Sequence, residues 1–217
     1  MWRADLKAPY PAGWIMLYER CAEVNGEFWQ ELSQLPPGEV TRRTGAAFTG
    51  SAFHLPFLNL VLKIDLAERT IEVEGEPRDL SFRICLTALL YLTRVDPQAL
   101  GPLVSPLELT GGATFFPERG PHAVPNRPLE ECFGHDLAGF LKAGEQLGAA
   151  PMSAGDAALA FQVFPGLTVE VILWLADEEF PAQVSFRVPG SLERLWHLDA
   201  VLALMQLLTG ELLDASA

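Results

Sequence analysis

The stretch Leu58 to Glu74, LNLVLKIDLAERTIEVE, decides the fold class. Leu60, Leu62, Ile64 and Leu66 alternate onto one face. Beyond them, Ile71 and Val73 alternate with Glu72 and Glu74. A repeat of two residues is the mark of a half-buried strand. Asp65 to Arg69 is too short to hold a crossover helix, and two strands joined by a tight turn must run antiparallel. Phe48 to Leu55 is a weaker strand ahead of this pair, so the segment is a hairpin or meander.

The neighbours are helical. Trp14 to Leu35 repeats apolar residues every three or four positions, with Gly26 as a weak point and Pro36-Pro37-Gly38 as the stop. Glu39 to Thr44 is a short helix that Gly45 can cap. Asp79, with Ser81 as competitor, caps a helix from Phe82 whose apolar residues face nearly every side, which marks the central core helix. Asp96 to Pro128 is irregular and carries seven prolines. Pro128 suits the first turn of a helix to Phe133, and Asp136 caps another that runs to Leu147. Leu159 to Phe164 and Leu167 to Trp174 are strands around the turn Pro165-Gly166. Gln183 to Val188 is a further strand, and Ser191 to about Leu213 is helical, in one piece or two. Helices and strands without steady β-α alternation give an α+β fold: a mostly antiparallel sheet packed by helices, in a single domain over 1–217. The loop near residues 117–128 is the one candidate boundary.

Composition excludes several functions. The chain has 217 residues, 49% hydrophobic and 20% charged, which suits a core that needs no metal or disulfide for stability. A net charge of −13 repels phosphate backbones and anionic bilayers, so no nucleic acid and no membrane is expected as a partner. Arg42 and Arg43 are the one adjacent basic pair and read as a solvated helix end. No apolar run reaches the length of a membrane span, and no targeting segment stands out. The cysteines, Cys21, Cys85 and Cys132, are sparse and odd in number, and none has a second Cys or a His at ligand spacing. They point to a reducing cytosol, a cytoplasmic address and no metal site, with Cys85 as a small core residue.

Three segments carry the residues that a fold alone does not call for. Val169 to Ala182 reads VEVILWLADEEFPA. A buried strand ending at Trp174 delivers Asp177, Glu178 and Glu179, which must be solvated, paired or used. Asp177 and Glu179 would face the same way on an extended chain, as an acid–base pair or a hard-cation site requires. Gly155-Asp156 precedes a strand and reads first as a turn. Thr110-Gly111-Gly112, followed by Phe115 in a long loop, offers backbone amides to an anion, although it matches neither a P-loop nor GxGxxG and reads first as a tight turn. His54, His122, His135 and His197 form no HExxH or HxH pair; His135 reads as solvent-facing and His197 as a core or boundary residue of the last helix. No nucleophile elbow is present.

Taken in order, RTGAAF, HLPFLNLVLKIDL, LTALLYL, LTGGATFF, CFGHDLAGFLKAGEQLG, GDAALAFQVFPGLTVEVILWLADEEFPA and ERLWHLDAVLAL cover nearly the whole chain. The sequence resembles the domain-of-unknown-function family DUF3786 of bacteria and archaea, many of them anaerobes. Gly155-Asp156, Pro165, Trp174 and Asp177 to Pro181 are the most specific part of the likeness. Some members are labelled putative iron–sulfur cluster proteins because a cysteine-rich module is attached. That module is missing here, and the label does not transfer. Members also tend to place an Asp ahead of a Ser-led helix after the DEEFPA segment, where this chain has Phe186 to Ser191. The resemblance implies no reaction and no cofactor. By analogy it suggests corrinoid or one-carbon systems of anaerobes as surroundings.

The functional expectation is a binding module for a small molecule or a protein partner. Its pocket would gather Thr110, Gly111, Gly112 and Phe115 with Gly155, Asp156, Trp174, Asp177, Glu178 and Glu179. The alternative is an enzyme that uses Asp156, Asp177 and Glu179 as acid–base or divalent-cation groups. An apolar face on the last helix would suit a homodimer.

Overall fold

A computed structural model of the chain describes residues 20–217. Among the described residues the strands form two antiparallel sheets, where the sequence suggested one. β1 (Ala47–Thr49), β2 (Ala52–Phe57), β3 (Leu60–Asp65) and β4 (Thr70–Val73) pair in sequence order in the first. In the second, the order is β5 (Leu103–Val104), β9 (Gln183–Pro189), β8 (Leu167–Trp174), β7 (Ala157–Phe164) and β6 (Ala150–Met152). The alternation in the quoted stretch has its physical result in β3, where Leu62 and Ile64 are fully buried and Lys63 is not. The sheets meet where Leu58 donates its N–H to Val163 at 3.1 Å and where Phe57 lies 5.7 Å from Phe164.

The helices are α1 (Gly26–Gln34), α2 (Pro37–Thr44), α3 (Phe82–Arg94), α4 (Gly112–Phe115), α5 (Asn126–Phe133), α6 (Leu137–Gln146) and α7 (Leu198–Ser216). α3 is the core helix, with Cys85, Ala88, Leu89, Tyr91 and Leu92 wholly buried. Ser81 caps it by accepting from the Ile84 N–H, so of the two candidate caps Asp79 is not the one used. Its other end is closed by Arg43, which donates to the carbonyls of Leu92 at 2.6 Å and of Val95. The basic pair is therefore not a solvated end: Arg43 satisfies carbonyls that a helix terminus leaves without intrahelical donors.

Three boundaries differ from the sequence reading. The long first helix does not extend through Gly26. Asn25 accepts from Glu27 N–H at 3.0 Å and starts α1 there, while Cys21–Glu23 form a separate 3-10 turn. The expected start of that helix at Trp14 lies outside the described residues. Phe48 to Leu55 is two strands, because Gly50 and Ser51 turn the chain between β1 and β2. The irregular segment after Asp96 contributes β5 as an edge strand, besides α4 and the start of α5.

One connected core runs through both sheets and all the long helices. α7 buries Val201, Leu204, Met205, Leu208 and Leu212 completely within the chain, mainly against α3, α5 and α6. These apolar residues of α7 are thus spent inside the fold. No described helix is long and apolar enough to cross a membrane. Cys21 and Cys85 are disulfide-bonded, with Cα atoms 5.4 Å apart. This departs from the expectation of sparse cysteines in a reducing cytosol: Cys85 is a core residue but a bonded one, and Cys132 is the one free thiol among the described residues.

Candidate functional site

The acidic strand end is a hydrogen-bonded turn. β8 finishes at Trp174, which is exposed at 40%. Asp156 lies beside it: its N–H donates to the Leu173 carbonyl at 2.9 Å, and its carboxylate accepts from the Leu175 N–H at 2.7 Å. Gly155 takes a φ of +58° there, and a Cβ would sit 2.6 Å from the Leu173 carbonyl oxygen. A side chain is excluded at that position on both counts. The sequence thus joins Gly155-Asp156 to the strand end as expected, through turn chemistry.

Asp177 is likewise spent on the backbone. One carboxylate oxygen accepts from Phe180 N–H at 2.7 Å and from Glu179 N–H at 2.8 Å. The bond from Phe180, then that from Glu179, hold its carboxyl below the usual aspartate range. Glu178 and Glu179 are exposed. Among the described residues no group of three or more His, Cys, Asp and Glu is placed to hold a metal ion.

The glycine loop lies elsewhere. Thr110 donates its hydroxyl to Glu193 at 3.0 Å, and Gly111, at φ +80°, packs on Leu198 at the start of α7. Phe115 stacks on His122 at 4.7 Å, and Phe116 is buried. The acidic turn belongs to the other end of α7. Ala176 donates to Gly134, two residues past Cys132, and Cys132 meets Ser216 at 3.4 Å. α7 has 19 residues, so its ends stand about 28 Å apart at ~1.5 Å per residue. Thr110, Gly111, Gly112 and Phe115 are therefore not brought together with Gly155, Asp156, Trp174, Asp177, Glu178 and Glu179 in the single pocket expected. A linear sequence gives each segment its turn chemistry but not which end of a long helix it meets.

Two residues absent from that expectation stand out beside the glycine loop. Glu193 has one carboxylate oxygen bonded to Thr110, while its other, Oε2, is buried without a partner. Trp196 is 1% exposed, and its indole Nε1 is also buried without a partner. The two residues are three apart on the turn that leads into α7. Buried polar atoms are nearly always satisfied by protein or water, so this acceptor and this donor need partners that the chain itself does not supply. SLERLW reads only as a helix start in sequence, and nothing in it signals that Trp196 would be sealed in.

The histidines are dispersed. His54 contacts Glu74 through Nδ1 and lies 2.5 Å from the Thr49 hydroxyl through Nε2. This ties the β1–β2 hairpin to the end of β4, a pairing that a separation of 20 residues concealed. His135 is exposed as expected, and His197 is exposed rather than part of the core.

Residues 36–211 match the family described as Domain of unknown function (DUF3786). No curated protein and no solved structure matches the chain.

Proposed function

The chain belongs to the DUF3786 family, and from that premise we propose that it is a one-domain binding module for a small polar molecule. The site is the turn Glu193–Trp196 under the Thr110–Gly112 loop. The observation that supports this reading is the pair of buried, unpartnered polar atoms, Glu193 Oε2 and Trp196 Nε1. Thr110 fixes the other Glu193 oxygen, so the open one is held in place before anything binds, which lowers the ordering cost of binding. A ligand that fits must donate to Glu193 and accept from Trp196, as an amide or the edge of an aminopurine does. Exposed Thr110 and Gly111 form the side from which it enters. A cytosolic address belongs to this proposal, as does the absence of nucleic acid and membrane among its partners, although the Cys21–Cys85 bond removes the cysteine count as support for that address.

The test is thermal shift and tryptophan fluorescence with acetamide, nicotinamide and adenine as probes. At least one should raise the melting temperature, and Trp196→Phe should weaken that probe about tenfold, the worth of one hydrogen bond. If no probe binds, or if Glu193→Ala and Trp196→Phe bind as the parent does, the site is wrong.

A second reading rests on a different surface. Trp174 at 40% and Phe180 at 62% exposure flank three carboxylates, a combination that suits a protein partner presenting Arg or Lys over the aromatic rings. Titration with an arginine-bearing peptide tests it. Binding that survives Trp174→Ala with Phe180→Ala would remove this surface from consideration.

A further inference from the structure

A groove of about 1210 Å³ separates Arg20–Ala22 from a second wall formed by Ile71–Val73 and Gly75–Ser81. Two ties cross between the walls. Arg20 and Ser81 form an isolated antiparallel bridge, and Cys21 is covalently joined to Cys85, four residues beyond Ser81 in α3. The Cα separation of 5.4 Å falls where ordinary disulfides fall. The sequence separation is 64, so the bond closes a ring that contains α1, α2 and the whole first sheet. The match to the family begins at residue 36. Cys21 therefore stands ahead of the matched residues and Cys85 among them, and the bond fastens the Arg20–Ala22 wall to α3.

We propose that Cys21–Cys85 is a reducible latch on this groove. The two sulfurs are unequally placed: Cys85 is wholly buried, whereas Cys21 is partly exposed. Attack by an external thiolate is thus directed to Cys21. A dithiol reductant adds one sulfur to Cys21 Sγ, the Cys21–Cys85 bond breaks, and Cys85 Sγ leaves with the bonding pair and takes a proton. The second thiol of the reductant then displaces Cys21 and closes on its partner sulfur. The protein gains two thiols and the reductant becomes a cyclic disulfide. Oxidised glutathione runs the exchange the other way through the same exposed sulfur. Once reduced, the Arg20–Ala22 wall keeps its backbone bridge to Ser81 but loses its covalent hold on α3, and the groove opens by local movement rather than by unfolding. Cys132 sits on α5 beside Ser216 and takes no part.

Hydrogen exchange on the full chain, oxidised with oxidised glutathione or reduced with dithiothreitol, reads the difference. A thiol titration should find one free thiol in the oxidised chain and three in the reduced one. Reduction should speed exchange at residues 20–24 and 71–81 at least tenfold more than in β7–β9, and Cys21→Ser should show the fast pattern with no response to the reductant. Cys132→Ser should behave as the parent. Three thiols after oxidation would overturn the proposal. So would equal acceleration across all strands, because that is the behaviour of a bond that only raises global stability.

Discussion

The hydroxyl of Tyr91 lies 2.5 Å from the carbonyl oxygen of Pro165 and joins the core helix to the turn between β7 and β8. The same hydroxyl lies 2.9 Å from the carbonyl oxygen of Thr44, and the Tyr91 ring stacks on Phe164 at 4.8 Å. One side chain thus holds α3, the end of α2 and the second sheet at a single point. Burial pushes the Tyr91 hydroxyl well above the ordinary phenol range, with Arg43 opposing that rise. It donates its proton and does not titrate under usual conditions. Tyr91→Phe keeps the stacking and removes the single proton that the Pro165 and Thr44 carbonyls share. The expected loss is about 1–3 kcal/mol, measured by urea unfolding with an unchanged m-value.

Arg43 is the other point at which α2 grips α3. Its guanidinium donates to the carbonyls at the end of that helix, and those carbonyls have no intrahelical partner to return to. Arg43→Ala should cost on the order of 1–3 kcal/mol, while Arg42→Ala should stay within about 0.5 kcal/mol as an ordinary surface change. Parallel denaturation of the two variants checks both halves of this contrast. Equal losses would mean that the grip is not specific to Arg43.

Much of the chain was legible because its signals are local. Gly45, Asp136 and the Pro165-Gly166 turn act on residues within one turn of themselves, and each stands where the sequence put it. The failures share a different cause. Gly50-Ser51 splits a strand because its two halves prefer pairing with each other, a choice made by partners rather than by propensity. The Cys21–Cys85 bond and the Thr110–Glu193 contact join residues 64 and 83 apart, and no periodicity reports a contact at that range. The shared pocket failed for the same reason, since α7 sets the distance between its ends.

Acid response separates two kinds of aspartate. Asp177 and Asp65 are held low by turn hydrogen bonds, for Asp65 first the bond from Glu68. Their contribution is present above the unfolded value of roughly 3.9 and is lost as pH falls through the lower folded values. Asp214 behaves oppositely. Burial raises its pKa against the pull of Arg78, so between the unfolded value and the raised one the folded chain binds more protons. Stability therefore falls as pH rises through that window. Asp214→Asn should remove this fall and make the chain more stable than the parent at about pH 7, the side on which this partly desolvated carboxylate is charged. Melting curves from about pH 4 to about pH 7 decide it; a parallel pair of curves would mean that Asp214 is not the source.

The glycine loop offers the sharpest steric test, and it bears on the proposed ligand site. Gly111 and Gly112 are adjacent but are needed for different reasons. Gly111 has a φ of +80°, and a Cβ there would lie 3.7 Å from Leu198, an ordinary contact. Its constraint is the backbone alone, which costs roughly 1 kcal/mol for Ala in this conformation. At Gly112 a Cβ would sit 2.1 Å from the Pro106 carbonyl oxygen. That oxygen is backbone and cannot rotate away, so the loop itself must shift, and Thr110 with it. Gly111→Ala should lower the melting temperature slightly and keep the affinity of any probe that binds at Glu193 and Trp196. Gly112→Ala should cost more stability and also weaken that probe, because moving Thr110 frees the Glu193 oxygen it holds. Weakened binding in both variants, or in neither, would show that the position of Thr110 does not govern the site.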